Sequence, residues 1–239
     1  MPLPKIATPT YELELPSSGE TIRYRPFLVK EEKVLVIALE SEDNKEITNA
    51  IKAVLKSCVL TKGIKVEKLP TFDIEYLFLN IRGKSVGEEI EVNIICPDDE
   101  KTQVPVFIDL DAIQVQKSDE HTNKVKVDDD IMMEMAYPSL DQFIKNNFDF
   151  DEKNAMAQSF ELIATCIDKI YTQDEVWASA DCTKKEMNEF LESMNSTQFK
   201  EIEKFFETMP KLSHTIQVTN PKTKKKSEVV LEGLASFFG

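Results

Sequence analysis

The sequence is poor in glycine, with only six among its 239 residues, at positions 19, 63, 83, 87, 233 and 239. Loops that bind dinucleotides or nucleoside triphosphates need clustered glycines, because the backbone must approach the phosphates closely. No such cluster occurs here. A Rossmann fingerprint and a P-loop are therefore excluded.

Histidine and closely spaced cysteine are also scarce. A Ser-His-Asp or Cys-His centre would have to recruit His121 or His214 from a distant part of the sequence. The four cysteines, at positions 58, 96, 166 and 182, are separated by 38, 70 and 16 residues, so none forms the close pair of a metal knuckle or redox site. We therefore expect no enzyme activity, no cofactor, no bound metal and a reducing compartment.

Positive charge and long apolar runs are lacking as well. Lys and Arg number 29 against 43 Asp and Glu, a net charge of −14 that would repel a phosphate backbone and an anionic membrane surface. The longest apolar run covers residues 34–39, far short of the ~20 residues that cross a bilayer. The first residues lack the pattern of a secretory signal. We expect no nucleic-acid partner, no membrane-spanning segment and a cytoplasmic location.

Residues 1–127 are predicted to form an α+β region with two hairpins. Alternating apolar and polar residues at 11–15 and 21–25 flank a turn, and the same pattern recurs at 89–94 and 104–108. Further extended segments are predicted at 113–116 and 124–127.

Three helices are predicted between the two hairpins. Residues 29–39 are apolar enough for a largely buried helix, with the charged residues 30–33 on an exposed first turn. Residues 43–59 have one apolar face, and residues 72–81 predict a nearly buried helix.

Residues 128–239 are predicted to form a mainly helical region that ends in a β-hairpin and an apolar tail. Ser139, Thr183 and Asn195 each precede an acid or amide by three residues, which is typical of a helix N-terminus. Apolar residues in steps of three and four predict a long helix over 152–171 and two later ones, together a small bundle.

The terminal hairpin is predicted at 215–218 and 227–231, around the turn at 220–223. Its pattern loosely parallels the hairpin at 90–110, which allows an internal repeat. The fold class is therefore α+β, with β-hairpins packed with a helical bundle and a C-terminal β-hairpin.

Charged clusters and the tail are the remaining candidate sites. The acidic triplets 98–100 and 128–130 lack the spacing of a calcium loop, so we interpret both as turns. The lysines at 222–226 favour a solvated turn over a nucleic-acid site. The apolar residues of the tail must dock on the protein's own helices or on a partner. These candidate partner-binding residues are Leu234, Phe237 and Phe238.

Several segments also resemble one known family. They lie at residues 9–17 (PTYELELPS), 24–33 (YRPFLVKEEK), 72–79 (FDIEYLFL), 81–88 (IRGKSVGE) and 233–238 (GLASFF). In this order they resemble the baseplate hub subunit and hub-assembly chaperone family of T4-type contractile-tailed bacteriophages. None of the segments is a catalytic motif.

The resemblance implies a late phage protein that helps to build the central hub of the tail baseplate. It would bind other hub proteins, and the tape-measure protein is a further candidate partner. The protein would act in the host cytoplasm during assembly, as a chaperone or as a structural protein that stays in the virion. A hub-associated cell-wall hydrolase and a nucleic-acid adaptor using the lysine turn remain as alternatives.

The resemblance also bears on metal binding. In some relatives, the turn corresponding to residues 96–99 resembles a zinc knuckle with paired cysteines. Here Asp99 stands where the second cysteine would be, and the later turn at 220–221 has none. We therefore expect no zinc.

Overall fold

The computed structural model describes residues 6–41, 43–139, 155–233 and 236. Contacts divide the chain into two compact units: the first comprises Met1–Gln116 and Lys211–Gly239, and the second Lys117–Pro210. The terminal hairpin thus belongs to the same unit as the N-terminal region. The division into 1–127 and 128–239 stays a prediction.

The first unit begins with the predicted hairpin. Strands β1 (Tyr11–Glu14) and β2 (Thr21–Tyr24) pair antiparallel, and the hairpin is confirmed. The turn is fixed by Asp73, a fully buried residue whose carboxylate accepts a hydrogen bond from the Ser17 backbone N–H at 3.0 Å. The hairpin therefore docks on the first turn of the third helix.

Three helices follow, as predicted: α1 (Val29–Glu40), α2 (Asn44–Cys58) and α3 (Thr71–Val86). Helix α3 buries most of its apolar residues, which confirms the expectation of a nearly buried helix. Helix α1 packs against α2.

The prediction of a largely buried α1 is wrong. The buried residues of α1 include Glu31 and Ala38, whereas Val29, Val36 and Ile37 on the opposite side are exposed. An apolar composition predicts burial on all sides. Composition does not show how many sides of a helix are covered by other elements of the same chain. Here α1 is covered on one side only.

The expectation that the whole charged stretch 30–33 is exposed is also wrong at Glu31. This carboxylate is buried and accepts hydrogen bonds from Arg25 Nη2 at 2.9 Å and from the Leu28 backbone N–H at 2.8 Å. Burial opposes ionisation, but the hydrogen bonds from Arg25 and Leu28 prevail and lower the pKa of Glu31. Glu31 thus caps α1 and ties it to Arg25, the residue that follows β2.

The rest of the first unit is formed by two antiparallel hairpins and one short strand. Both hairpins were predicted and are confirmed. The extended segment predicted at 113–116 is confirmed as well. The strands are β3 (Glu89–Ile95), β4 (Gln103–Asp109), β5 (Gln114–Gln116), and later in the chain β10 (Lys211–Thr219) and β11 (Lys226–Glu232). Strands β3 and β4 pair with each other, and the second sheet has the order β11-β10-β5. Apolar residues of α3 and of all five strands share one core.

In its described residues, 117–139 and 155–210, the second unit contains a four-stranded antiparallel sheet and three helices. Its elements are β6 (Lys124–Lys126), β7 (Met132–Met135), α4 (Ala155–Cys166), β8 (Ile167–Tyr171), β9 (Val176–Ala178), α5 (Lys184–Glu192) and α6 (Ser196–Thr208). The strand order is β6-β7-β8-β9. Helices and sheet contribute to one core, so the α+β class is confirmed in both units.

The single helix predicted over 152–171 is wrong beyond Cys166. Ile167 and Ile170 lie in strand β8, where both are buried. The pairing of β7 with β8 skips a residue between Ile167 and Lys169, which is a β-bulge. A bulge changes the alternation of a strand, so two residues three apart face the same core. The three-residue step, interpreted as helical from sequence, arises from this bulge.

The helix starts at Thr183 and Asn195 are confirmed. Each residue forms a capping box with the residue three positions later, Glu186 and Gln198 respectively. The helix start predicted at Ser139 is followed by residues 140–154, which lie outside the described residues. In the part of the chain that the structure describes, no helix has the length and apolar character needed to cross a membrane.

Candidate interaction site

Strand β11, which precedes the tail, ends at a defined point. The Gly233 N–H donates a hydrogen bond to the Leu212 carbonyl at 2.9 Å, and Gly233 has φ +69°. A Cβ added at Gly233 would lie 3.3 Å from Glu75 Oε1 on α3. The conformation and the nearby side chain therefore favour glycine where β11 ends. The predicted partner-binding residues that follow, Leu234, Phe237 and Phe238, lie outside the described residues, so their role stays a prediction.

The turns of the β3–β4 and β10–β11 hairpins have the same shape. In the turn after β3, the Glu100 N–H donates to the Cys96 carbonyl at 2.9 Å, and Glu100 has φ +53°. In the turn after β10, the Lys224 N–H donates to the Asn220 carbonyl at 2.9 Å, and Lys224 has φ +62°. The turn after β1 has the same geometry, since the Gly19 N–H donates to the Leu15 carbonyl at 2.8 Å and Gly19 has φ +71°. The shape is therefore not specific to the two hairpins of the predicted repeat, and the repeat stays a prediction.

Side chains connect these two turns to each other. Asp98 Oδ1 accepts a hydrogen bond from Asn220 Nδ2 at 3.0 Å, and Asp98 Oδ2 accepts one from Thr223 Oγ1 at 2.5 Å. The residues are 122 and 125 positions apart in sequence. We call this arrangement the turn clamp. Hydrogen bonds from Thr223 and Asn220 lower the pKa of Asp98, so the clamp carries a negative charge at neutral pH.

A neighbouring carboxylate stabilises the first turn from within. Asp99 accepts hydrogen bonds from the Thr102 hydroxyl at 2.5 Å and from the Thr102 N–H at 2.9 Å. These contacts hold the pKa of Asp99 well below its usual range. The acidic residues at 98 and 99 are therefore turn residues, as predicted, and each is committed to a partner within the protein.

The donor set at the paired turns does not suit zinc. It offers one thiol, Cys96, which is fully buried, and its pKa is raised by burial and by the carboxylates of Asp98 and Asp99. Structural zinc sites are built from several Cys and His ligands, whereas here a single thiol is accompanied by the amide of Asn220 and the hydroxyl of Thr223, which zinc does not prefer. Among the described residues, no three or more His, Cys, Asp and Glu side chains are grouped to hold a metal. Metal independence stays a prediction.

Two further cysteine thiols, those of Cys58 and Cys166, are kept neutral by burial. Burial raises the pKa of Cys58 to about 11 and that of Cys166 to about 12. A nucleophilic cysteine needs a lowered pKa and access to solvent. Neither thiol has the properties of a reactive nucleophile.

The two histidines lie in different units. In the second unit, His121 contacts Thr208 Oγ1 through Nδ1 and the Tyr137 hydroxyl through Nε2, both at 2.9 Å, and its ring packs on Phe205. Both ring nitrogens are thus engaged, and burial lowers the pKa of His121. His214 lies in β10 of the first unit, opposite Leu231. The surroundings of His121 are those of a structural histidine.

The lysines at 222–226 lie where the sequence predicts them, on an exposed turn at the tip of the β10–β11 hairpin. Next to them lies the carboxylate of the turn clamp, Asp98. The tip therefore has charges of both signs, which weakens any attraction to a phosphate backbone.

The fold is that of an α+β protein in which the polar residues of the two turns are hydrogen-bonded to each other. The comparisons with known proteins identify its family. The family model for the T4 bacteriophage base plate protein matches residues 8–239, which includes segments of both units. The chain therefore belongs to the T4 bacteriophage base plate protein family, and the resemblance is confirmed at that level. No curated protein and no solved structure matches the chain.

Proposed function

We propose that this protein acts in assembly of the central hub of the phage tail baseplate, as a hub subunit or as a chaperone for hub proteins. It does so by binding other proteins and catalyses no reaction. The observation that carries the proposal is the match of the base plate family over residues 8–239, since it covers nearly the whole chain. The ordered segments that resemble hub proteins support a role in the hub of the baseplate.

The chemistry of the described residues supports a binding role. The thiols of Cys58, Cys96 and Cys166 are buried, and His121 is held by Thr208 and Tyr137. Asp98 and Asp99 are committed to structural hydrogen bonds. These are arrangements that stabilise a fold, and none of them resembles a nucleophile beside a base.

The proposed partners are other hub proteins and, among tail components, the tape-measure protein. The proposed place of action is the host cytoplasm during assembly, with retention in the virion if the protein is a subunit. The net charge of −14 disfavours nucleic acid as a partner.

The tail provides a direct test of partner binding. In one variant, Leu234, Phe237 and Phe238 are replaced by serine, and Gly233 is retained because its positive φ favours glycine. If the tail binds a partner, this variant melts like the wild type but recovers fewer hub proteins from infected-cell extracts by affinity capture. If the tail docks on its own chain, the melting temperature falls.

The matched control is Phe107→Ser, which removes an exposed aromatic residue from the outer face of β4. Quantitative mass spectrometry of the captured proteins, and of purified virions, separates a subunit from a chaperone. A subunit is present in virions, whereas a chaperone is found with hub proteins in the extract alone. Capture of no tail protein by the wild type would contradict the proposal.

A further inference from the structure

The side of α1 that faces away from the buried residues carries a short, ordered pattern. Val29, Lys33, Val36, Ile37 and Glu40 are spaced by three and four residues, so they share one side of the helix. All five are exposed, and the exposed fractions of the apolar ones are 78% for Val29, 46% for Val36 and 58% for Ile37. We call these five residues the outer face of α1.

An exposed outer face is unusual for a helix of this composition. Helix α1 has apolar residues on nearly all sides, which is typical of a helix covered on two sides. Helix α2 packs against α1, and the buried residues of α1 include Glu31 and Ala38. The adjacent apolar pair at the centre of the outer face, Val36 and Ile37, therefore forms a surface suited to a protein partner.

The charged residues of the outer face are arranged symmetrically about this apolar pair. Lys33 lies three residues before Val36, and Glu40 lies three residues after Ile37. Lys33 and Glu40 are about 10 Å apart along the helix, too far to pair with each other. Neither has an ion-pair partner within the described parts of the chain.

We propose that the outer face of α1 binds a second copy of this chain, with the two α1 helices antiparallel across a two-fold axis between Val36 and Ile37. In this arrangement, Val36 of each copy packs on Ile37 of the other. Lys33 of each copy then lies opposite Glu40 of the other, so the two-fold symmetry gives two ion pairs. A two-fold contact requires a self-complementary surface, and this face has one. A different partner would give no reason for the symmetry of the two charges.

The contact is small, and its strength follows from its size. A 12-residue helix is about 18 Å long, so one helix face per copy buries less than a standard interface, and the dimer is weak. We expect a dissociation constant on the order of 10–100 μM. The net charge of −14 on each copy opposes association, so the experiment is run near 0.15 M salt, where the Debye length is about 8 Å.

Charge reversal tests the dimer with the full chain. Sedimentation equilibrium is measured from about 5 μM to about 500 μM protein, a range that brackets the expected dissociation constant. Lys33→Glu places glutamates opposite each other, and Glu40→Lys places lysines opposite each other. Each single change should weaken the dimer on the order of tenfold, because two attractive pairs become repulsive. The double change restores both pairs with the signs exchanged, so it should regain most of the affinity.

The control pair is Lys185→Glu and Glu189→Lys, which alter the net charge by the same amounts on the exposed side of α5. These changes should leave the dimer as it is. A chain that stays monomeric throughout the range overturns the proposal. The proposal is also overturned if the single reversals at positions 33 and 40 leave the affinity of the dimer unchanged, or if the double variant dimerises more weakly than both single variants. The test does not depend on the role in the hub.

Discussion

Phe205 is the residue whose replacement should most clearly destabilise the second unit. Its side chain is 2% exposed, and its ring lies 5.2 Å from that of His121, 5.7 Å from that of Tyr137 and 5.1 Å from that of Phe206. Replacing Phe205 with alanine leaves a cavity that these aromatic rings cannot close. Buried Phe→Ala changes lower the free energy of unfolding by about 3–5 kcal/mol. With a urea m value of about 2 kcal/mol/M, the midpoint should fall by about 1.5–2.5 M.

The single tryptophan makes this measurement specific to the second unit, because Trp177 lies in β9. Urea titrations followed by tryptophan fluorescence should show the shifted transition for Phe205→Ala. The control is Phe107→Ala, which removes the same side chain from a position in the first unit that is 68% exposed. It should move the Trp177 transition by less than about 0.5 kcal/mol. If the two variants shift the midpoint equally, the core assigned to the second unit is wrong.

Two further predictions concern the first unit, and a third concerns the metal content of the whole chain. Glu31→Ala should lower the free energy of unfolding by about 2 kcal/mol, because it removes charged hydrogen bonds from a buried site, while Glu32→Ala beside it should have little effect in the same denaturant titration. Asp98→Ala should lower the melting temperature relative to the exposed control Asp119→Ala. Because the folded pKa of Asp98 is lowered, its stabilising effect should be complete above the unfolded pKa near 4 and should disappear as the pH falls through the folded pKa. Melts by circular dichroism between pH 3 and 7 check this, and a gap between wild type and Asp98→Ala that widens in acid would contradict it. Elemental analysis should find no stoichiometric zinc, and a chelator should leave the melting temperature unchanged; one zinc per chain would refute this prediction.

The features predicted correctly from sequence depend on contacts that are local along the chain. The hairpin of β1 and β2 follows from alternation on either side of a turn, and the starts of α5 and α6 follow from capping residues only three positions apart. The interacting residues of such patterns are close in sequence, so the patterns can be recognised without knowledge of the fold.

The features that were missed depend on residues far apart in sequence or on strand pairing. The turn clamp joins Asp98 to Asn220, and no pattern in either segment indicates the other. The bulge in β8 gives Ile167 and Ile170 a helix-like spacing, and only pairing with β7 reveals it. The exposure of α1 was missed because composition predicts that a helix is buried and cannot tell which chain covers it.

The most direct test of the hub role is electron microscopy of tails from a phage that lacks this gene. If the protein acts in hub assembly, baseplates should lack an assembled hub, infectivity should be lost, and the wild-type gene supplied in trans should restore both. Tails with complete hubs and normal infectivity in the absence of the gene would contradict the proposed function.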